Sequence, residues 1–138
     1  MADALQLATR WTAMWNRTIP AIEVVTEGCS VYFGRQPVSA RPATTQGPAA
    51  LQGVIDDIAA RVEGIAYDFA GTVLAQANND GKGGIITLLW EVSAPTMAAR
   101  SGIDLLAYRD DRITEVWSIT GDLPLPPLPH RGPTAMAS

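Results

Sequence analysis

The stretch Ser101–Asp122, SGIDLLAYRDDRITEVWSITGD, decides how the chain folds. Two strand-like runs, Ile103 to Arg109 and Arg112 to Thr120, flank Asp110-Asp111, a polar pair of the length that a two-residue hairpin loop requires. Side chains alternate across a strand, so Asp104, Leu106 and Tyr108 share one face, and Ile103, Leu105 and Ala107 share the other. A carboxylate thus stands in an apolar row. It must be paired, solvated or protonated there, and a carboxyl group kept neutral in an apolar site can donate a hydrogen bond. On the second run, alternation turns Val116, Ser118 and Thr120 inward and leaves Glu115 and Trp117 outside.

Upstream of this hairpin the pattern is helical first and strand-like later. Asp3 can cap a helix whose Ala4, Leu7, Ala8, Trp11, Met14 and Trp15 form one apolar stripe. Thr18 and Pro20 suit the start of a short second helix with Ile22 and Val25 facing inward, ended by Gly28. A strand follows over Cys29 to Gly34, then a loop from Arg35 to Gln46 that could edge a pocket. Gly47-Pro48 opens a third helix, with Leu51, Val54, Ile55, Ile58 and Val62 at helical spacing and Gly64 as its stop. Strands over Ile65 to Ala77 and Ile85 to Ser93 form a hairpin through the Asn- and Gly-rich turn Asn78 to Gly84. Ala94 to Ser101 is read as the next turn, with Pro95 stopping the strand.

This order predicts an α+β fold in which three N-terminal helices pack on a curved, mainly antiparallel sheet. Residues 1–122 form one domain, and residues 123–138 a proline-rich tail that runs extended or disordered. A strongly bent sheet covered by helices leaves a cone with an apolar interior, the kind of cavity that takes small molecules.

Composition narrows the functional classes. The 138 residues are 47% apolar, enough for a core without staples, and the net charge is −4 with 10 dispersed basic residues. Neither nucleic acid nor an anionic membrane is expected as a partner. A single cysteine, Cys29, excludes an intrachain disulfide and a thiolate metal cluster. No spacing suits a metal, and no cofactor is expected. With no leader pattern and no run of about 18 apolar residues, the expectation is a soluble, cytoplasmic protein.

The order of elements, the Gly47-Pro48 helix start and the ending GIDLLAYRDDRITEVW resemble the SnoaL-like and ketosteroid isomerase-like group of the nuclear transport factor two-like superfamily. The resemblance covers roughly residues 3 to 122 and implies the cone-shaped, cystatin-like fold. Asp104 is similar to the oxyanion-hole aspartic acid of the isomerases, where the SnoaL-type cyclases have a histidine. The isomerases' base falls near Phe33, the cyclases' base near Ser118, and the isomerases' oxyanion tyrosine near Arg10 or Trp11. Neither base position holds a carboxylate.

The resemblance implies a cofactor-independent isomerase, cyclase or dehydratase acting on a hydrophobic ring or polyketide-like molecule, with Asp104 as acid or oxyanion stabiliser. A non-catalytic ligand-binding or assembly module is the alternative. An epoxide hydrolase-like reaction is the third, and would need Glu91 or Asp68 to face Asp104. Candidate ligand contacts are Trp11, Tyr32, Trp90, Leu106, Tyr108, Val116 and Ser118. Trp90 is favoured over Glu91 as pocket wall by alternation. Trp117 and Glu115 on the outer face point to a homodimer through the sheet. Asp56-Asp57 reads as a solvated helix face, His130 as a lone residue in the tail, and Cys29 as a small buried hydrophobe.

Overall fold

A computed structural model describes residues 3–34, 44–69 and 73–128. The first helix, α1 (Ala4–Trp15), starts where the Asp3 side chain accepts from the Leu5 N–H at 2.9 Å. Its buried side chains are Leu7, Ala8, Trp11 and Met14. The second, α2 (Pro48–Arg61), begins at Gly47, whose φ of 85° is open to glycine at little cost, and buries Leu51, Val54, Ile55 and Ile58. These two stripes face the same side of the sheet.

The expected helix at Thr18–Gly28 does not form. Only a 3₁₀ turn, Ala21–Glu23, occurs there, and β1 (Val25–Phe33) starts directly after it. The β-branched run Val24-Val25-Thr26 favours extended backbone over helix. Ile22 is 59% exposed instead of facing inward, whereas Val25 is buried, but on a strand. Gly28 lies within β1, where the register with its neighbour shifts between Val25 and Ser30, so it marks a strand irregularity and not a helix end.

Three further boundaries differ from the expected ones. The end of the expected loop at Arg35–Gln46 contains β2 (Thr44–Gln46); residues 35–43 lie outside the described residues. The run Ile65–Ala77 is two strands, β3 (Ala66–Phe69) and β4 (Leu74–Ala77), which pair with opposite halves of the long β5 (Gly83–Ala94). The turn expected over Ala94–Ser101 shrinks to Pro95-Thr96, because Met97 already pairs with Ala94 as β6 (Met97–Arg109) begins. Proline halts the ladder for two residues only. That early start puts Arg100 on a strand.

Asp110-Asp111 then turns the chain into β7 (Arg112–Thr120), with Asp110 at φ 54° and Arg109 opposite Arg112. The sheet order is β2-β1-β7-β6-β5-β3, with β4 also on β5; β1 and β7 are parallel and every other pair antiparallel. Leu88, Leu106, Val116 and Val31 project toward the helices and join Leu7, Trp11, Met14, Leu51 and Ile55 in one core. The opposite face leaves Ile103, Leu105, Trp117 and Ile119 exposed. Beyond β7, Ser101 holds the chain: its N–H donates to the Leu123 carbonyl at 3.1 Å, and its hydroxyl accepts from the Leu125 N–H at 2.8 Å. His130 and residues 129–138 lie outside the described residues. No described helix is long and apolar enough to cross a membrane.

Candidate functional site

Between the helices and the sheet lies a cavity of about 310 Å³. Trp11 and Trp15 line it from α1, Ile58 from the end of α2, Tyr67 from β3, Trp90 from β5, and Asp104 and Ser118 from β6 and β7. The aromatic wall is continuous: Trp15 packs at ring-centroid distances of 6.1 Å from Trp11 and 5.4 Å from Tyr67, and Tyr67 at 6.1 Å from Trp90. Such edge-on and tilted contacts fix the ring orientations beyond what burial alone does.

Asp104 is 3% exposed, and its Oδ2 accepts from Trp11 Nε1 at 2.9 Å. An indole N–H only donates, so Oδ2 must be an acceptor and an acid proton belongs on Oδ1. Oδ1 is buried with no hydrogen-bond partner, and so is the N–H of Trp90. Burial pushes the Asp104 carboxyl above its usual range. The Ser118 hydroxyl, opposite Asp104 across the strand pair, and the Trp90 and Trp11 N–H groups pull the other way. The geometry closes only the Trp11 bond, so desolvation dominates. Arg10, next to Trp11 on α1, donates to the Glu23 carbonyl and is not among the groups that shift the Asp104 carboxyl.

Glycine is required beside this acid. The indole of Trp90 lies flat on Gly102, two residues from Asp104, and a methyl group at that position would overlap the ring. Gly102→Ala should therefore displace Trp90 and cost about 1–3 kcal/mol. Thermal melting with near-ultraviolet circular dichroism checks both; an unchanged tryptophan signature would contradict it.

The expected ligand contacts divide among three places. Trp11, Trp90 and Ser118 line the cavity with Asp104. Leu106 and Val116 are fully buried in the core, and Tyr108 packs against that core on the same row, so these three form the filled end of the cone. Tyr32 is on the outer face, its hydroxyl donating to Glu115 Oε2 at 2.8 Å and its ring 5.9 Å from Trp117. Its neighbour Phe33 takes the cavity position. Glu91 and Asp68 do not line the cavity; alternation turns them away from their lining neighbours Trp90 and Tyr67.

Trp15, Tyr67 and Arg100 line the cavity without having been singled out as ligand contacts. Trp15 was legible as part of the α1 stripe. Tyr67 stood beside Asp68 in a strand whose parity the sequence left open, and burial, with the charge on Asp104 as a second cause, pushes its phenol up, so it stays protonated. Cys29 is buried and its thiol is pushed from 9.0 to about 12, mainly by burial, which leaves no thiolate for nucleophilic chemistry. Among the described residues no cluster of three His, Cys, Asp or Glu side chains could hold a metal ion.

No family model matches the chain, and no curated protein matches it. Solved structures do. A candidate isomerase of the SnoaL-like family from Agrobacterium tumefaciens superposes with a TM-score of 0.68 over 86% of this chain and 97% of the other, at 16% identity. IdmH, a candidate polyketide cyclase from Streptomyces antibioticus, gives 0.68 over 86% and 91%, at 13% identity. The chain has the fold of the SnoaL-like proteins. The same architecture also serves the β subunit of benzoate 1,2-dioxygenase from Burkholderia mallei, with a TM-score of 0.61 over 88% and 92%, at 9% identity. At these identities the shared property is the fold.

Proposed function

We propose that the cavity binds a hydrophobic, carbonyl-bearing ring or polyketide-like molecule, and that neutral Asp104 donates a hydrogen bond from Oδ1 to its oxygen. The observation that carries this is the pair of unpartnered buried groups, Asp104 Oδ1 and Trp90 Nε1, in a largely apolar, aromatic-lined cavity. Buried polar atoms are seldom left unsatisfied, and a ligand oxygen would complete both. Donors held in place before the reaction stabilise charge as it develops on that oxygen. This supports chemistry of the isomerase, cyclase or dehydratase kind.

Among the described residues that line the cavity, Asp104 alone carries a carboxyl group. Phe33 and Ser118 stand at the two base positions the resemblance implies, and Tyr67 stays protonated. A step that breaks no carbon–hydrogen bond, such as addition of the ligand's own hydroxyl to its carbonyl, in which Asp104 protonates the carbonyl oxygen and is reprotonated by the proton the attacking hydroxyl releases, fits better than abstraction of a carbon-bound proton. Epoxide opening loses its second acid, since Glu91 and Asp68 lie outside. A ligand-binding or assembly module without turnover is the second reading, favoured by the same missing base.

Two measurements test the site and its missing base. Binding of 2-naphthol, whose oxygen resembles an enolate, tests the site by fluorescence titration; no saturable binding would remove the proposal. Exchange of the α-hydrogens of 2-tetralone in deuterium oxide, followed by NMR, tests for a base. Exchange no faster than in buffer, in a protein shown by the separate titration to bind 2-naphthol, is the expected result.

The outer sheet face supports a homodimer. Trp117 is 41% and Ile119 64% exposed, with Ile103 and Leu105 beside them. Sedimentation at micromolar concentration should give twice the chain mass, and Ile119→Lys should give one chain mass. A parent protein that sediments as a monomer would overturn this.

A further inference from the structure

Arg100 lines the same cavity. Among the described residues no carboxylate is in ion-pair contact with it, whereas Arg109, on the same strand, meets Asp80 at 3.1 Å and Arg112 donates to the Ile22 carbonyl. It shares the face of Gly102 and Asp104 by alternation, and four residues of strand put its Cα about 13 Å from that of Asp104. Arg100 does not figure among the groups that shift the Asp104 titration. The two polar groups therefore sit at separate ends.

The surroundings of Arg100 are apolar. Gly64, at the end of α2, sits against the Pro95 ring, which brings the turn after α2 onto the β5–β6 hairpin. That end of the cavity is accordingly lined by Val62, Ile65, Val92 and Met97, with Val92 directly opposite Arg100 in the ladder. A guanidinium lacking a partner beside apolar walls attracts an anion more strongly than one in open water. Its planar fork fits a carboxylate with two parallel hydrogen bonds. The chain is net acidic and has no basic patch, so any preference for an anion must come from this one side chain.

We infer, resting on the use of Asp104 proposed above, that the ligand is bipolar: an oxygen at Asp104, an apolar ring body, and a carboxylate at the far end held by Arg100. A keto acid or hydroxy acid on a ring scaffold has this form; a neutral sterol-like hydrocarbon ring does not.

The test compares 6-hydroxy-2-naphthoate, ionised at pH 7, with its methyl ester and with 2-naphthol. In the parent protein the carboxylate should bind at least about tenfold more tightly than the ester, the scale of a hydrogen-bonded charge pair. Arg100→Gln should reduce that ratio to within about twofold, with an unchanged melting curve showing that the fold survives. Equal affinity for acid and ester in the parent, or a preference that persists in Arg100→Gln, overturns the inference while leaving the Asp104 site standing. Failure of all three probes to bind, or 2-naphthol binding indifferent to Asp104→Leu, overturns the proposed site and the inference with it.

Discussion

Asp104→Leu should lower affinity for 2-naphthol about 10- to 100-fold, and if the protein turns over a substrate the rate should fall by about two to three orders of magnitude. Leucine is close in volume and suits the apolar row, so the fold should persist. It removes two things at once. The cavity loses its donor, and the Trp11 N–H, which now bonds Oδ2 at 2.9 Å, is left buried without an acceptor. The second loss should cost about 1–3 kcal/mol of stability, visible as a lower melting temperature. Asp104→Asn separates the two effects. Its carbonyl can accept from Trp11 while its NH₂ points where Oδ1 now points, so stability and part of the binding should survive. A leucine variant that binds 2-naphthol like the parent would remove Asp104 from the site.

Much of this site follows from alternation alone. Asp104, Leu106 and Tyr108 fall on one face because a strand has a period of two, and the same rule puts Ser118 inside and Trp117 outside. What alternation does not give is depth along the cone. Leu106, Val116 and Tyr108 share the face of Asp104 but sit where the core is already filled, and only the packing of Met14, Leu51 and Ile55 from the helices determines where filling stops. Tyr32 shows a different lesson. The apolar row Cys29, Val31 and Phe33 marks the inward face of β1, which puts Tyr32 outside whatever its hydroxyl offers.

The helix expected at Thr18–Gly28 failed because capping residues were present without the length to use them; β-branched residues followed within four positions of Pro20. Arg100 was hidden by a boundary error of five residues, since the turn expected to run to Ser101 ends at Thr96. Read as part of a turn it had no face, and only the tight Pro95-Thr96 reversal puts it in the ladder opposite Val92.

Stability should fall as the pH rises, through Asp104, and the asparagine variant should not share that fall. Burial raises the Asp104 pKa in the folded protein above its ordinary value of about 3.9. Between that value and the folded pKa, the native state holds a proton that the unfolded chain has lost. The slope of unfolding free energy with pH is then negative, about 1.4 kcal/mol per pH unit for one proton. Below about 3.9 both states hold the proton, and above the folded pKa neither does, so the slope from this group vanishes at both ends. Asp80 works in the opposite sense, its pKa lowered first by the Lys82 backbone N–H and then by Arg109, so its small surface contribution is lost as the pH falls. That and every other shared group cancel when parent and Asp104→Asn are compared. The melting temperature of the variant minus that of the parent should therefore be smallest near pH 4, grow with rising pH and level off at the folded pKa of Asp104. The NMR shift of the Asp104 carboxyl carbon should titrate at the same pH. Trp11→Phe should move that midpoint up, since it removes an N–H that favours the anion. A difference that stays flat from pH 4 upward would mean that Asp104 ionises as in a free peptide, and an ionised carboxylate cannot donate the hydrogen bond that the site requires.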